Sequence, residues 1–447
     1  MKLIFHGAAR EVGRSCIEVQ TGGDRYLLDC GIKFTTEGFT YPENIFDVVK
    51  LDGVLLSHAH LDHSGALPLF EHYDMVCPIF CTHQTLALTK ALLKDSYKIA
   101  HIKRLHPAYG KTDLKEVERS TTRVEFDRWY SHRKLTFRFL NAGHIPGSAA
   151  ILFEAEGKRI LYTGDFNTRT TLLMKPADFA KDLAEVGPVD CLITECTYGD
   201  RQLPPRAELE PRFLEAVKRV IANGGSVLIP VFAVGRAQEI LIMLAKEQWD
   251  CPIYYDGMAK EVTRGILTNQ STYVINKDDL NRMFFSKITL ISSEQHREEV
   301  VRESPAIFVT TSGMMQGGPA IGYLKELWHD PKNAVFLTGY QVHGTNGRHL
   351  IDDGYVFIDG WKTPVKCEVQ KFDFSGHADI EDIKRMIWAV HPKKVVFQHG
   401  EEESVVNMVE WAKRETPFEP YGPGIGDEID LGDESGTATP RRRTEEN

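Results

Sequence analysis

No apolar run in the 447 residues is long enough to span a bilayer, and no charged-then-apolar leader follows Met1. The expectation is a soluble, cytoplasmic protein with no membrane partner. A paired CxxC framework is also missing. The eight cysteines (Cys16, Cys30, Cys77, Cys81, Cys191, Cys196, Cys251 and Cys367) are scattered, which suits reduced thiols packed as small apolar groups. Cys77 and Cys81 are a weak metal signal beside that reading. Positive charge is in deficit: 53 Lys and Arg stand against 63 Asp and Glu, for a net charge of -10. Any nucleic-acid partner must therefore be held by a local basic patch and not by the field of the whole protein. What the chain does have is 42% hydrophobic residues, enough to build two or three cored domains.

It also has a dense histidine cluster, His58-Ala59-His60-Leu61-Asp62-His63. An apolar run, Gly53 to Leu56, reads as a buried strand that meets a turn at Ser57, so the cluster opens at a strand's end. Neutral imidazole nitrogen suits zinc, and Asp adds a hard oxygen. Three His and one Asp in six residues exceed the needs of one tetrahedral ion, which implies two adjacent metals.

The same pattern recurs along the chain. Asp29 ends the strand-like run YLLD, where it is either a hydrogen-bonding partner for a ligand His or a turn former. His144 sits in a turn between two strands, and Asp165 ends RILYTGDF. His58, His60, His144 and Asp165 would surround one metal, while Asp62, His63 and a bridging Asp165 leave the second one His short. His399, at the end of KVVFQHGEE, supplies it. Between Lys98 and Lys134 the chain leans basic, with Lys103, Arg104, Lys111, Arg123, Arg128, Arg133 and Lys134 interleaved with Tyr109, Trp129 and Tyr130. A solvated face and an RNA-contacting surface are both open readings.

After the buried strand CLITE, ending at Glu195, the Pro-rich LPPR marks a boundary. Strands then alternate with helices, the signature of a parallel, doubly wound layer. Within it Arg236, in VFAVGRAQE, and Ser312 and Gly313, in TTSGMMQGG, are candidate phosphate contacts, with an ion pair and a plain turn as the alternatives. From Trp361 the first style returns, carrying His377 in FSGHADIEDI and then His399. The expected division is a first domain over 1–201 and 361–424, interrupted by an inserted domain over 202–360. Residues 425–447 read as a disordered tail.

HAHLDH, His144, Asp165 and His399, in that order, resemble the metallo-β-lactamase superfamily. Glu195 in TECTYGD, His377 in FSGHAD and His399 in QHGE, around an inserted α/β segment, resemble its β-CASP branch of nucleases. VFAVGRAQEIL, TTSGMMQGG and GYQVHGTNGR look more like the cleavage-and-polyadenylation specificity factor endonuclease and its short archaeal relatives than like ribonuclease J. His343, in QVHGT, stands where those relatives carry an acidic residue.

The resemblance implies an αββα sandwich with a doubly wound β-CASP insertion. It implies two Zn2+ per chain and hydrolysis of single-stranded RNA to 5′-phosphate and 3′-hydroxyl ends, by endonuclease or 5′-to-3′ exonuclease action in RNA processing or decay. It also implies catalytic roles for Asp62, Glu195 and His377, with Asp29 in support; His377 would protonate the leaving oxygen and Glu195 would be its partner. A homodimer and RNA-decay or processing proteins are candidate partners. A small-molecule metallohydrolase of the same superfamily and a non-catalytic RNA-binding scaffold are the alternatives.

Overall fold

The computed structural model describes residues 1–35, 38–45, 50–102, 105, 108–269 and 271–432. The chain divides into two units: 1–170, 176–202 and 377–447 form the first, and 171–175 with 203–376 form the second.

The first unit contains two seven-stranded sheets. In spatial order, one comprises Glu428–Asp430, Lys2–Gly7, Cys16–Thr21, Asp24–Leu28, Gly53–Leu55, Ile79–Thr82 and Thr121–Val124. The other comprises Glu419–Tyr421, Lys394–Gln398, Cys191–Glu195, Lys158–Tyr162, Ala149–Ala155, Leu135–Asn141 and Trp129–His132. Side chains alternate across a strand, so a strand buried on both faces feeds two cores. Ala149–Ala155 shows this directly. Ala149, Ile151, Phe153 and Ala155 join Phe5, Ile17, Leu28, Phe137 and Tyr162 between the sheets, whereas Ala150 and Leu152 face outward to Ile383, Ile387, Met408 and Trp411. Those last residues belong to the helices Ile380–Val390 and Glu402–Glu415. On the other outer face, Leu27, Val54 and Leu56 pack against Leu86 and Leu93 of the helix His83–Ile102. The result is helix, sheet, sheet, helix.

The second unit is built on a six-stranded parallel sheet in the order Thr289–Leu290, Ile253–Asp256, Ile307–Thr310, Val227–Pro230, Ala334–Leu337, Glu368–Lys371. The chain leaves Val227–Pro230 toward one edge and leaves Ile307–Thr310 toward the other, which makes the sheet doubly wound.

Two expectations are corrected here. The inserted unit does not end at Gly360 but runs to Gly376, because Glu368–Lys371 hydrogen-bonds to Ala334–Leu337 and extends the parallel sheet. Residues 171–175 also belong to it, with Met174 bridged to Val274. The chain from 425 is not all tail: Glu428–Asp430 pairs with Lys2–Ile4, and Ile429 and Leu431 are buried in the central core. Residues 433–447, like Lys103 and Arg104, lie outside the described residues.

Candidate metal centre

The candidate metal ligands of the first unit stand just past strands. His58, His60, Asp62 and His63 follow Gly53–Leu55, His144 follows Leu135–Asn141, Asp165 follows Lys158–Tyr162, and His399 follows Lys394–Gln398. Asp29 follows Asp24–Leu28 and Glu195 closes Cys191–Glu195. Asp29 (φ 60°) and His399 (φ 51°) both adopt the left-handed backbone conformation, which non-glycine residues enter only under constraint from their surroundings. The constraint is visible in hydrogen bonds. The segment Ser15 and Cys30–Ile32 is stitched to the metal loop by Ser15 N to Asp62 O (2.7 Å), Cys30 N to His63 O (2.8 Å) and Ile32 N to Leu61 O (2.9 Å). Gly31 allows this approach, since a Cβ there would lie 1.7 Å from the Asp62 carbonyl oxygen.

Four metal-capable groups result among the described residues, three of them containing Asp165. Two are His58 with Asp62 and His63, and Asp165 with Glu195 and His377. In the other two, ligand atoms of His58, His60, His144 and Asp165 lie within 4.8 Å of one another, as do those of His63, Asp165 and His399. Asp62 joins the last of these, with its carboxylate 3.4 Å from His399 Nε2. The donor atoms face one another: His60 Nδ1 is 3.1 Å from His144 Nε2, and His63 Nε2 is 3.3 Å from His399 Nε2. Buried yet without a hydrogen-bond partner among the described residues are His58 Nε2 and Asp165 Oδ1. Buried polar atoms are normally paired, so orphaned nitrogen and oxygen atoms converging on one point fit a cation of zinc's preferences.

Asp29 organises the first loop. Its carboxylate accepts from Ser57 N (2.6 Å), Ser57 Oγ (2.7 Å), Tyr162 OH (2.7 Å) and His63 Nδ1 (2.7 Å). The bond to His63 Nδ1 turns Nε2 toward Asp165 and His399, and although burial pushes the His63 pKa down, the Asp165 and Asp29 carboxylates raise it well above the ordinary imidazole value. Ser57 and Tyr162 escaped the sequence reading, although both are immediate chain neighbours of its motifs.

Electrostatics follow from burial and pairing. Burial lowers the pKa of His58 and His60, keeping both neutral and able to donate a lone pair. Burial pushes the Asp165 carboxyl up, but His399, His63 and His377 outweigh it and hold it well below the usual range. Beside this cluster His377 Nδ1 donates to Glu195, at 2.8 and 3.0 Å from its two oxygens, and lies 3.9 Å from Asp165. Burial pushes the His377 pKa down, yet the Glu195 and Asp165 carboxylates raise it to about 9. Glu195 is fully buried and is itself fixed by Phe166 N (2.8 Å) and Thr197 Oγ (2.6 Å). Asp379, two residues on, caps the helix Ile380–Val390 and pairs with Arg169, whose Nε also reaches Asp382 (2.6 Å). This clamp had no signal in the sequence.

Arg236, Ser312 and Gly313 lie in the second unit and are taken up by its internal bonding. Arg236 is buried and ion-paired with Glu239, which Arg206 also grips. Of the two sequence readings, the structure shows the ion pair, with one Glu239 carboxylate shared between two guanidinium groups. Ser312 Oγ accepts from Gln316 N at 3.2 Å, and Gly313 fits a space where a Cβ would meet Phe232 N at 2.9 Å. Cys77 and Cys81 are buried free thiols in a core, apart from any metal-capable group among the described residues.

A sandwich with a shared His/Asp cluster at its strand ends is the architecture of a metal-dependent hydrolase, and comparison agrees. The chain matches the Beta-lactamase superfamily domain over residues 24–229, the Beta-Casp domain over 237–350 and the Zn-dependent metallo-hydrolase RNA specificity domain over 362–423. It is 41% identical over 435 residues to "Probable RNase MJ4" of Methanocaldococcus jannaschii, covering 96% of this chain and 100% of that one. It is 33% identical to "RNase aCSPSF2" of Saccharolobus solfataricus, covering 95% and 84%. A solved structure, a protein of unknown function from Enterococcus faecalis, shares the fold with a TM-score of 0.60 at 14% identity, covering 96% and 99%. The chain belongs to the β-CASP family of the metallo-β-lactamase superfamily.

Proposed function

We propose that this protein is a zinc-dependent ribonuclease that hydrolyses single-stranded RNA to 5′-phosphate and 3′-hydroxyl ends in RNA processing or decay. The observation that carries it is the His377–Glu195 pair beside the shared His/Asp cluster, within a chain whose relatives are named as RNases. His58, His60, His144 and Asp165 would hold one zinc, and Asp62, His63 and His399 with Asp165 a second. The chemistry zinc supplies when bound is activation of a water and neutralisation of charge on both oxygens of an in-line displacement at phosphorus. The protein's own contribution is proton management. Glu195 keeps one proton on His377 Nδ1, so the proton passed to the leaving ribose oxygen sits on Nε2. Asp29 holds His63 in one tautomer and one orientation. No described helix is long and apolar enough to cross a membrane, and all eight cysteines are free, in keeping with work in a reducing cytoplasm.

The test is a time course on RNA labelled separately at its 5′ and 3′ ends, with and without a zinc chelator. Chelator-sensitive internal fragments mark an endonuclease, and mononucleotides from the 5′ label mark an exonuclease. Zinc-loaded protein that leaves RNA intact but turns over small esters would overturn the assignment.

A further inference from the structure

Two parallel strands, Cys191–Glu195 and Lys394–Gln398, run in register with Glu195 opposite Gln398, and Cys196 N donates to Gln398 O at 2.9 Å just past their ends. The segments leaving them stay together, so Thr197 and His399 arrive side by side. Thr197 is 4% exposed, and its hydroxyl meets three groups: Glu195 Oε2 at 2.6 Å, the His399 carbonyl oxygen at 3.0 Å and His399 Nδ1 at 3.3 Å.

A hydroxyl has one proton to give and two lone pairs. The shortest of the three contacts is to a carboxylate, which only accepts, and charge-assisted bonds of this kind are the strongest. The Thr197 proton therefore goes to Glu195, and the Thr197 oxygen is left to accept. The neighbour with a proton to offer it is His399 Nδ1. Asp165 Oδ1 lies as near that nitrogen, at 3.3 Å, but takes part in no hydrogen bond among the described residues. With Nδ1–H directed at Thr197, the lone pair of His399 is on Nε2, the nitrogen that stands 3.3 Å from His63 Nε2 and 3.4 Å from Asp62. On the other side of the hydroxyl, Glu195 Oε2 also accepts from His377 Nδ1 at 2.8 Å. One chain of hydrogen bonds thus runs from His399 through Thr197 and Glu195 to His377.

Resting on the zinc-ribonuclease reading, we propose that Thr197 is a positioning residue serving both parts of the site, holding His399 with Nε2 toward the metal and holding Glu195 against His377. A residue kept only for packing would need the shape of threonine and not its hydroxyl.

The test compares Thr197→Val, which removes the hydroxyl and keeps the shape, with Thr197→Ser, which keeps the hydroxyl, in the full-length zinc-loaded protein. Thr197→Val should weaken zinc binding about 10- to 100-fold in a competition titration against a chelating dye. At saturating zinc its kcat should stay about tenfold below the parent's, with KM for RNA unchanged. Thr197→Ser should recover most of both losses. Thr197→Val combined with Glu195→Gln should cost less than the product of the two single losses, because each breaks the same chain of bonds.

Equal losses in the Val and Ser variants, with circular dichroism matching the parent's, would mean that shape matters and not the hydroxyl, and would overturn the proposal. So would a kcat that added zinc restores in full, which ties the hydroxyl to His399 alone, or a lowered kcat at parent-like zinc affinity, which ties it to Glu195 alone. Thr197→Ala takes the place of Thr197→Val if the latter fails to fold. A parent that binds zinc and leaves RNA intact would overturn the ribonuclease reading. Zinc affinity would then decide the proposal, upheld by loss in Thr197→Val with recovery in Thr197→Ser and overturned by parent-like affinity in both.

Discussion

At the scale of the residue, the centre separates its histidines by environment. His58 and His60 are kept neutral by burial, whereas His377 is driven toward its charged form by Glu195 and Asp165 despite burial. One residue type is thus pushed in opposite directions within a few ångströms, and His63, held by Asp165 and Asp29, is raised as His377 is. His377→Ala is expected to lower kcat by roughly 10²- to 10⁴-fold with zinc stoichiometry unchanged, measured by single-turnover cleavage and metal analysis. Loss of zinc instead would make His377 a ligand. Asp29→Asn keeps the size of the side chain but removes the charge that anchors His63, Ser57 and Tyr162. Zinc affinity should fall by about 10- to 100-fold in a competition titration, and cleavage at saturating zinc should return most of the way.

At the scale of the element, the centre depends on how strand ends are pinned. Gly31→Ala would force a methyl group into the Asp62 carbonyl, and the metal loop would have to shift. A stability loss on the order of 1–3 kcal/mol, with weakened zinc binding, is expected from denaturant unfolding and metal titration. Asp379→Ala removes the cap of Ile380–Val390, worth about 1 kcal/mol, and strips a partner from Arg169. Because His377 lies on that turn, kcat should fall while zinc is retained; normal kcat would show that the turn holds its place without the clamp. Several strands of the first unit, Gly53–Leu55 and Cys191–Glu195 among them, were legible as apolar runs. The Arg169 clamp and the Ser57 and Tyr162 bonds to Asp29 were not, because polar residues far apart in sequence carry no pattern that announces their pairing.

At the scale of the whole molecule, the first unit is closed by the return of the chain after residue 376, which brings His399 to His63 and Asp165, and His377 to Asp165 and Glu195. If the bound metal adds its binding free energy to folding, chelation should lower the melting temperature by roughly 5 °C or more, read by calorimetry, and added zinc should reverse it. An unchanged melting temperature would mean that the cluster contributes no binding free energy to the fold.

The sequence alone determined the identity of the ligand-type residues, their placement at strand ends and the presence of an inserted α/β layer, because hydrophobic periodicity and residue chemistry are local properties. It misplaced the return into the first unit. Glu368–Lys371 has the pattern of a strand wherever it pairs, and only the hydrogen bonds to Ala334–Leu337 assign it to the parallel sheet. The polar look of the chain's end likewise hid Glu428–Asp430, which earns its place through Lys2–Ile4 at the other end of the sequence. Tertiary structure also decided that Arg236 is buried in an ion pair with Glu239, which Arg206 shares. Burial sets which charges remain available, and burial is a property of the folded chain.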